Sequence, residues 1–245
     1  MIKPGKKRLD ALVIERYPTL TRNLIQSLII QGKVTVDGVI TTKPGTQFKD
    51  EVVIQLAEEH AKYVSRAGYK LEAALQGFRV DVTGLTCMDA GISTGGFTDC
   101  LLQHGAARVY SVDVGHGQVH ERVAKDQRVV LFEQTNLRLL EALPEKVDLV
   151  TLDLSFISLL KVMEVVAKQL KPDGRILALI KPQFEAEREQ VRRGGLVTDP
   201  AVHDAVIRKI VAGFEAHGFK HEGTMESPIL GASSGNKEFV AYFTR

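Results

Sequence analysis

A chain of 245 residues, 44% hydrophobic and 25% charged, has the ordinary composition of a soluble globular protein and is long enough for one large domain and one small one. No apolar run approaches the roughly 18 residues that span a bilayer, and the basic start, Lys3 to Arg8, lacks the apolar stretch of a signal peptide; stable membrane association is not expected and a cytoplasmic location is. The net charge of +2 is unevenly spread: residues 1–49 carry nine Lys/Arg against three acids, a local +6 that leaves the remainder at −4, as in a polyanion-binding module joined to a mildly acidic body.

Apolar residues at Leu9, Leu12, Val13 and Tyr17 predict a helix over 8–17, ended by Pro18. Thr21 reads as the N-cap of a second helix, Arg22 to Gln31, stopped by Gly32. Val34–Val36 and Val39–Thr41 flank Asp37-Gly38, a pair suited to a tight hairpin turn. Val52–Ile54 reads as another short strand. This small α+β unit is assigned to residues 1–56, with a polar linker at 57–62 and a second domain at 63–245.

From residue 63 onward strands and helices alternate. Strands are expected at 87–90, 109–112, 129–132, 147–152 and 176–180. Helices are expected near 66–77, 96–104, 117–125, 158–170 and 201–217. That alternation implies a mostly parallel sheet covered on both faces, a Rossmann-like α/β fold. Segments 223–229 and 238–244, with a Gly/Ser-rich loop and no helix between them, predict an antiparallel pair at one edge. Cys87 and Cys100 have no His/Cys cluster nearby and read as buried apolar residues, so no metal is expected.

The first of these strands runs into Asp89-Ala90-Gly91-Ile92-Ser93-Thr94-Gly95-Gly96-Phe97. A glycine-rich turn after the first strand of an α/β sheet lets backbone approach a ligand at a helix N-terminus. The spacing is neither a dinucleotide fingerprint nor a P-loop. It suits S-adenosylmethionine, whose methionine carboxylate is the anion that would meet such amides. Asp113, after the next strand, is where a ribose diol would be held, and Asn136, after the third, could read an adenine edge. Singly, each also has a structural explanation, a tight turn or a helix cap; in order at successive strand ends they support one another. Asp153 and Lys181 end two apolar strands at the sheet edge where open parallel sheets place ligands.

Residues 8–56, with Arg8-Leu9-Asp10, Thr21-Arg22 and Gly32 to Gly38, resemble an S4 RNA-binding domain. Residues 63–244 resemble FtsJ-type ribose methyltransferases. The segments Ser65 to Leu71, Asp89 to Asp99, Asp153 to Ser158 and Lys181 to Glu185 together resemble the TlyA family, whose members are called haemolysin A or ribosomal RNA cytidine 2′-O-methyltransferases.

The resemblance implies a Lys-Asp-Lys-Glu tetrad on Lys70, Asp153, Lys181 and Glu238. It implies S-adenosylmethionine contacts from the Asp89–Phe97 loop (Asp89, Gly91, Ser93, Thr94, Gly95, Gly96, Phe97) and from Asp113, and RNA contacts from Arg8, Arg22, Lys33 and Arg66. FtsJ-type enzymes usually carry an acid where this chain has Asn136. In this reading Lys181 is the base or hydroxyl-orienting group, tuned by Lys70 and held by Asp153, while Glu238 organises Lys70 or the substrate ribose. The expected partner is ribosomal RNA or a ribosomal subunit; the chain resembles the shorter family forms, for which a large-subunit cytidine is the expected main target. Two rival readings are a membrane-active haemolysin, against which the lack of a spanning segment argues, and a non-catalytic RNA-binding or ribosome-assembly factor.

Overall fold

The computed structural model describes residues 6–18, 20–56, 62–231 and 235–245. The chain divides into two compact units, Met1–Lys62 and Tyr63–Arg245. Most of the expected linker, residues 57–61, lies outside the described residues, as do residues 1–5 and 232–234.

In the first unit, β1 (Lys7–Arg8) leads directly into α1 (Leu9–Arg16), followed by α2 (Arg22–Ile30), whose Thr21 side chain accepts from Leu24 N–H as an N-cap. β2 (Val34–Val36) pairs antiparallel with β3 (Val39–Ile40). The turn between them holds Asp37 at φ 50° and Gly38 at φ 80°, the left-handed pair that a two-residue hairpin demands. β4 (Gln47–Phe48) pairs with β1, and β5 (Ile54–Leu56) with β2. The strand expected at 52–54 is displaced: Val53 exchanges backbone and side-chain hydrogen bonds with Asp37, which diverts it from the ladder until Ile54. Leu9, Leu12, Val13, Ile25, Ile29, Val34, Val36 and Ile54 form this unit's core.

The second unit begins with α3 (Ala67–Gly77) and β6 (Thr86–Ala90), then α4 (Gly96–Gln103), β7 (Arg108–Val112), α5 (Glu121–Ala124) and β8 (Val129–Phe132). β9 (Val147–Leu152) is followed by a 3-10 turn, Leu159–Val162, and α6 (Met163–Gln169). β10 (Leu170–Ile180), α7 (Pro182–Glu185), α8 (Pro200–Ala216), β11 (Lys220–Glu226) and β12 (Phe239–Thr244) complete it. The sheet order is β11-β12-β10-β9-β6-β7-β8. β10, β9, β6, β7 and β8 run parallel, and β12 lies antiparallel between β10 and β11.

Three expectations change in detail. The helix near 117–125 shrinks to Glu121–Ala124, because Gly117 sits at φ 65° and breaks the preceding stretch. The strand expected to start at Ile176 starts at Leu170, with a register irregularity before Arg175. The strand expected at 223–229 ends at Glu226, before Ser227-Pro228, because proline has no N–H for a ladder.

Side chains alternate across the sheet with the two-residue period of a strand. Cys87, Leu149, Leu177 and Leu179 pack with α3 and α4 on one face; Met88, Val150, Ile176 and Ala178 pack with α6 and α8 on the other. Strand order reverses between β6 and β9, so their C-terminal ends diverge into a crevice, the usual ligand position of such sheets.

Candidate active site

Gly91 and Asp153 meet at that crevice. Asp153 N–H donates to Ala90 O at 3.0 Å, and a Cβ on Gly91 would stand 2.5 Å from Asp153 O, so only glycine fits at its φ of 93°. Beneath the loop, Asp89 is fully buried and accepts from Thr98 Oγ1 at 2.7 Å and Thr151 Oγ1 at 2.9 Å. Burial pushes its carboxyl up to about 6 against the two hydroxyl bonds. Asp89 lines neither of the two cavities that flank the crevice; it anchors the loop from inside. Gly95, at φ 99°, caps α4 and faces the Val123 side chain instead of a cavity.

The first cavity, about 510 Å³, is lined by Gly91, Ser93, Thr94, Gly96 and Phe97 of the loop, by Ser65 and Arg66, and by Lys70, Asp153, Lys181 and Glu238. The second, about 490 Å³, is lined by Asp113, Asn136 and the apolar Val112, Val114, Leu137, Leu154, Ile157 and Val162. Gly91, Ser93, Asp153, Ser155 and Phe156 belong to both walls, so the cavities share a boundary there.

The four charged residues arrive from α3, β9, β10 and the approach to β12 and form two ion pairs. Lys181 Nζ lies 2.7 Å from Asp153 Oδ1 and donates to Ser155 Oγ at 2.9 Å. Lys70 Nζ pairs with Glu238 Oε2, and both side chains are buried. Each lysine therefore has its own carboxylate, and both lysines line the same cavity. Asp113 is also engaged: Oδ2 accepts from Ser93 N–H and Oδ1 from Gly115 N–H, both at 2.8 Å, which ties the glycine loop to the end of β7. Asn136 Oδ1 caps a 3-10 turn through Arg138 N–H at 3.1 Å, leaving its amide group to the cavity.

Of the residues expected to meet RNA, Arg66 donates to Leu230 O at the rim of the larger cavity. In the other unit, Arg8 makes a two-pronged contact with the buried Asp10 at 2.9 and 3.0 Å, and Arg22 approaches the same carboxylate at 3.5 Å. Arg8 above all, with Gln26 and Arg22, holds the Asp10 carboxyl well below the usual range. Lys33 is half-buried just before β2.

Sequence reasoning missed several wall residues. Ser155 and Phe156 follow Asp153 by two and three positions, and Phe156 is 90% exposed with its ring 5.0 Å from that of Phe184. An exposed phenylalanine three residues past a strand-end acid leaves no signal in a hydrophobic pattern. Gly194 and Gly195 also line the larger cavity. They are held by Asn236, which accepts from Val197 N–H at 2.8 Å and donates to Gly195 O at 2.7 Å. The doublet Gly194-Gly195 was the available signal.

The second cavity suits a nucleoside: apolar walls for a base, a carboxylate with lone pairs left for a diol, and an amide for a base edge. Comparison with known proteins agrees. Residues 63–245 match the FtsJ-like methyltransferase family, and residues 7–54 match the S4 domain. The chain is 40% identical over 240 residues to the 16S/23S rRNA (cytidine-2′-O)-methyltransferase TlyA of Mycobacterium tuberculosis, covering 97% of this chain and 89% of that one. It is 40% identical over 239 residues to Hemolysin A of Brachyspira hyodysenteriae, covering 96% and 99%. A solved structure from Streptococcus thermophilus, provisionally named a hemolysin, superposes with a TM-score of 0.77 at 38% identity, covering 99% of this chain and 90% of that one.

Proposed function

The chain belongs to the TlyA family of FtsJ-like methyltransferases, and on that premise we propose that it transfers a methyl group from S-adenosylmethionine to a cytidine 2′-hydroxyl of ribosomal RNA in the cytoplasm. The observation that carries this reading is the pairing of Lys181 with Asp153 at the junction of a nucleoside-sized cavity and a cavity walled by Lys70 and Glu238.

Asp113, Asn136 and the backbone of Gly91 to Phe97 would hold the cofactor, which supplies an electrophilic methyl group. The chain's own task is then orientation, since a ribose hydroxyl is a poor nucleophile and gains most from a fixed approach. Lys181 holds that hydroxyl or takes its proton, and the Asp153 carboxylate stabilises the resulting ammonium. Ser155 fixes the amine from a second side. Lys70 and Glu238 neutralise each other and form the wall against which the ribose rests. Large-subunit RNA is the expected main acceptor. The S4 unit supplies RNA affinity through its excess of Lys and Arg over acids.

The test is methyl incorporation by the purified full-length chain into unmodified large- and small-subunit RNA, followed by mapping of 2′-O-methylated positions. A cytidine in large-subunit RNA is the expected product. Erythrocyte lysis without methyl transfer by the same sample would favour the haemolysin reading, although among the described residues no helix is long and apolar enough to cross a membrane. RNA binding without transfer would favour an assembly factor.

A further inference from the structure

A polyanion entering the larger cavity meets few uncommitted cations there. Lys70 is paired with Glu238 and Lys181 with Asp153, so the tetrad presents no net positive charge. The second unit gives little help as a whole, with 22 Lys/Arg against 23 Asp/Glu over residues 63–245. Any grip on the phosphates beside the target ribose has to come from local placement.

The turn Arg192-Arg193-Gly194-Gly195-Leu196 supplies such a placement. Gly195 N–H donates to Arg192 O at 3.0 Å and Arg192 N–H to Leu196 O at 2.9 Å, which closes the turn. Gly194 and Gly195 take φ values of 86° and 78°, and an added Cβ would meet nothing within 4 Å at either. The glycines are there for the backbone path, not for space. They form part of the cavity wall. Arg192 and Arg193 are exposed, and neither forms an ion pair among the described residues. The preceding segment carries two acids, Glu187 and Glu189, but the Glu187 carboxylate is engaged in a capping box with Gln190.

The turn is also anchored. Asn236 is only 1% exposed; its amide donates to Gly195 O in the turn and accepts from Val197 N–H just after it. Asn236 stands two residues before Glu238. One short segment thus carries a tetrad carboxylate and the amide that anchors the turn bearing the two arginines. A buried side-chain amide bonded to a surface turn fixes where that turn sits.

We propose that the Arg192–Leu196 turn is a phosphate-binding wall of the active site, on which Arg192 and Arg193 take the phosphodiester groups next to the ribose being methylated. This deepens the functional reading above and rests on it for the identity of the strand. The ligand class is the RNA backbone, contacted without regard to base. Guanidinium groups suit it, since their forked donors match phosphate oxygens.

The experiment compares full-length wild type with R192A/R193A and R192K/R193K, using unmodified ribosomal RNA. RNA affinity is titrated across salt concentrations, KM for RNA is measured, and S-adenosylmethionine affinity is read by calorimetry. The alanine variant should raise KM by about tenfold or more, and its log-affinity against log-salt slope should fall by about one to two units, one for each phosphate no longer held. The lysine variant should recover most of the salt slope, and cofactor affinity should match wild type in both. An unchanged salt slope and KM in R192A/R193A would overturn the proposal. If wild type binds RNA but transfers no methyl group, the reaction assignment fails, and the binding titration alone still decides the role of the turn.

Discussion

Lys70 and Glu238 stand 168 positions apart in the chain and form one buried ion pair, joining α3 to the segment that enters β12. Removing one partner leaves a lone charge out of water. Glu238→Ala should therefore lower stability by about 3–5 kcal/mol, and the double variant Lys70→Ala/Glu238→Ala by less than the sum of the single losses. Chemical denaturation of the four proteins in the cycle gives the coupling directly. Additive losses would show that the pair is not energetically joined.

Lys181 lines the larger cavity and not the nucleoside-sized one. Lys181→Ala should abolish methyl transfer while leaving S-adenosylmethionine affinity within about twofold. Lys181→Arg should fail as well, because a guanidinium donates hydrogen bonds but does not accept a proton at workable pH. A substantially active Lys181→Arg protein in single-turnover assays would reduce the lysine to an orienting group.

Asp113 has two tasks, tethering Ser93 and Gly115 and facing the cavity. Asp113→Ala should weaken cofactor binding on the order of 1.5–3 kcal/mol, the loss typical of a hydrogen bond to a charged group. Calorimetry checks this. Undiminished binding would remove Asp113 from the cofactor site.

Asp89 makes stability depend on pH. Its carboxyl is pushed up to about 6 by burial. An acid raised in the folded state contributes stability that is fully present below its unfolded value of about 4 and is lost as pH rises through about 6. Asp89→Asn removes that dependence. The stability of the variant relative to wild type should rise by up to about 3 kcal/mol between pH 4 and pH 8. Unfolding curves at several pH values measure it, and a constant difference across that range would contradict the buried-acid account.

Arg22 is the clean probe of RNA contact in the first unit. Arg8→Ala should weaken RNA binding but also lower the melting temperature, since it strips the buried Asp10 of its two-pronged partner. Arg22 is 62% exposed and reaches Asp10 only at 3.5 Å. Arg22→Ala should reduce RNA affinity and its salt slope while leaving the melting temperature nearly unchanged. An equal thermal loss in both variants would mean that Arg22 is mainly structural.

The pattern of apolar residues determined the elements and their type. The short apolar runs over 129–132 and 147–152, the Asp37-Gly38 hairpin and the capped helix after Thr21 all follow from local chemistry, and local chemistry is what a sequence displays. The glycine loop and the strand-end charges at Asp153 and Lys181 were legible for the same reason. Their pairing was not written in the apolar pattern and came only as what the family resemblance implied. That Lys70 meets Glu238 depends on β12 inserting between β10 and β11, a long-range choice of strand order. Nor could the pattern show that Asp89 turns inward onto Thr98 and Thr151 while Asp113 turns towards a cavity, since each is an acid at the end of a strand. The basic turn at Arg192 was likewise silent until Asn236, 41 positions further along the chain from Gly195, fixed it against the cavity. Side chains that act together here come from different strands, and only the packed sheet brings their ends to one edge.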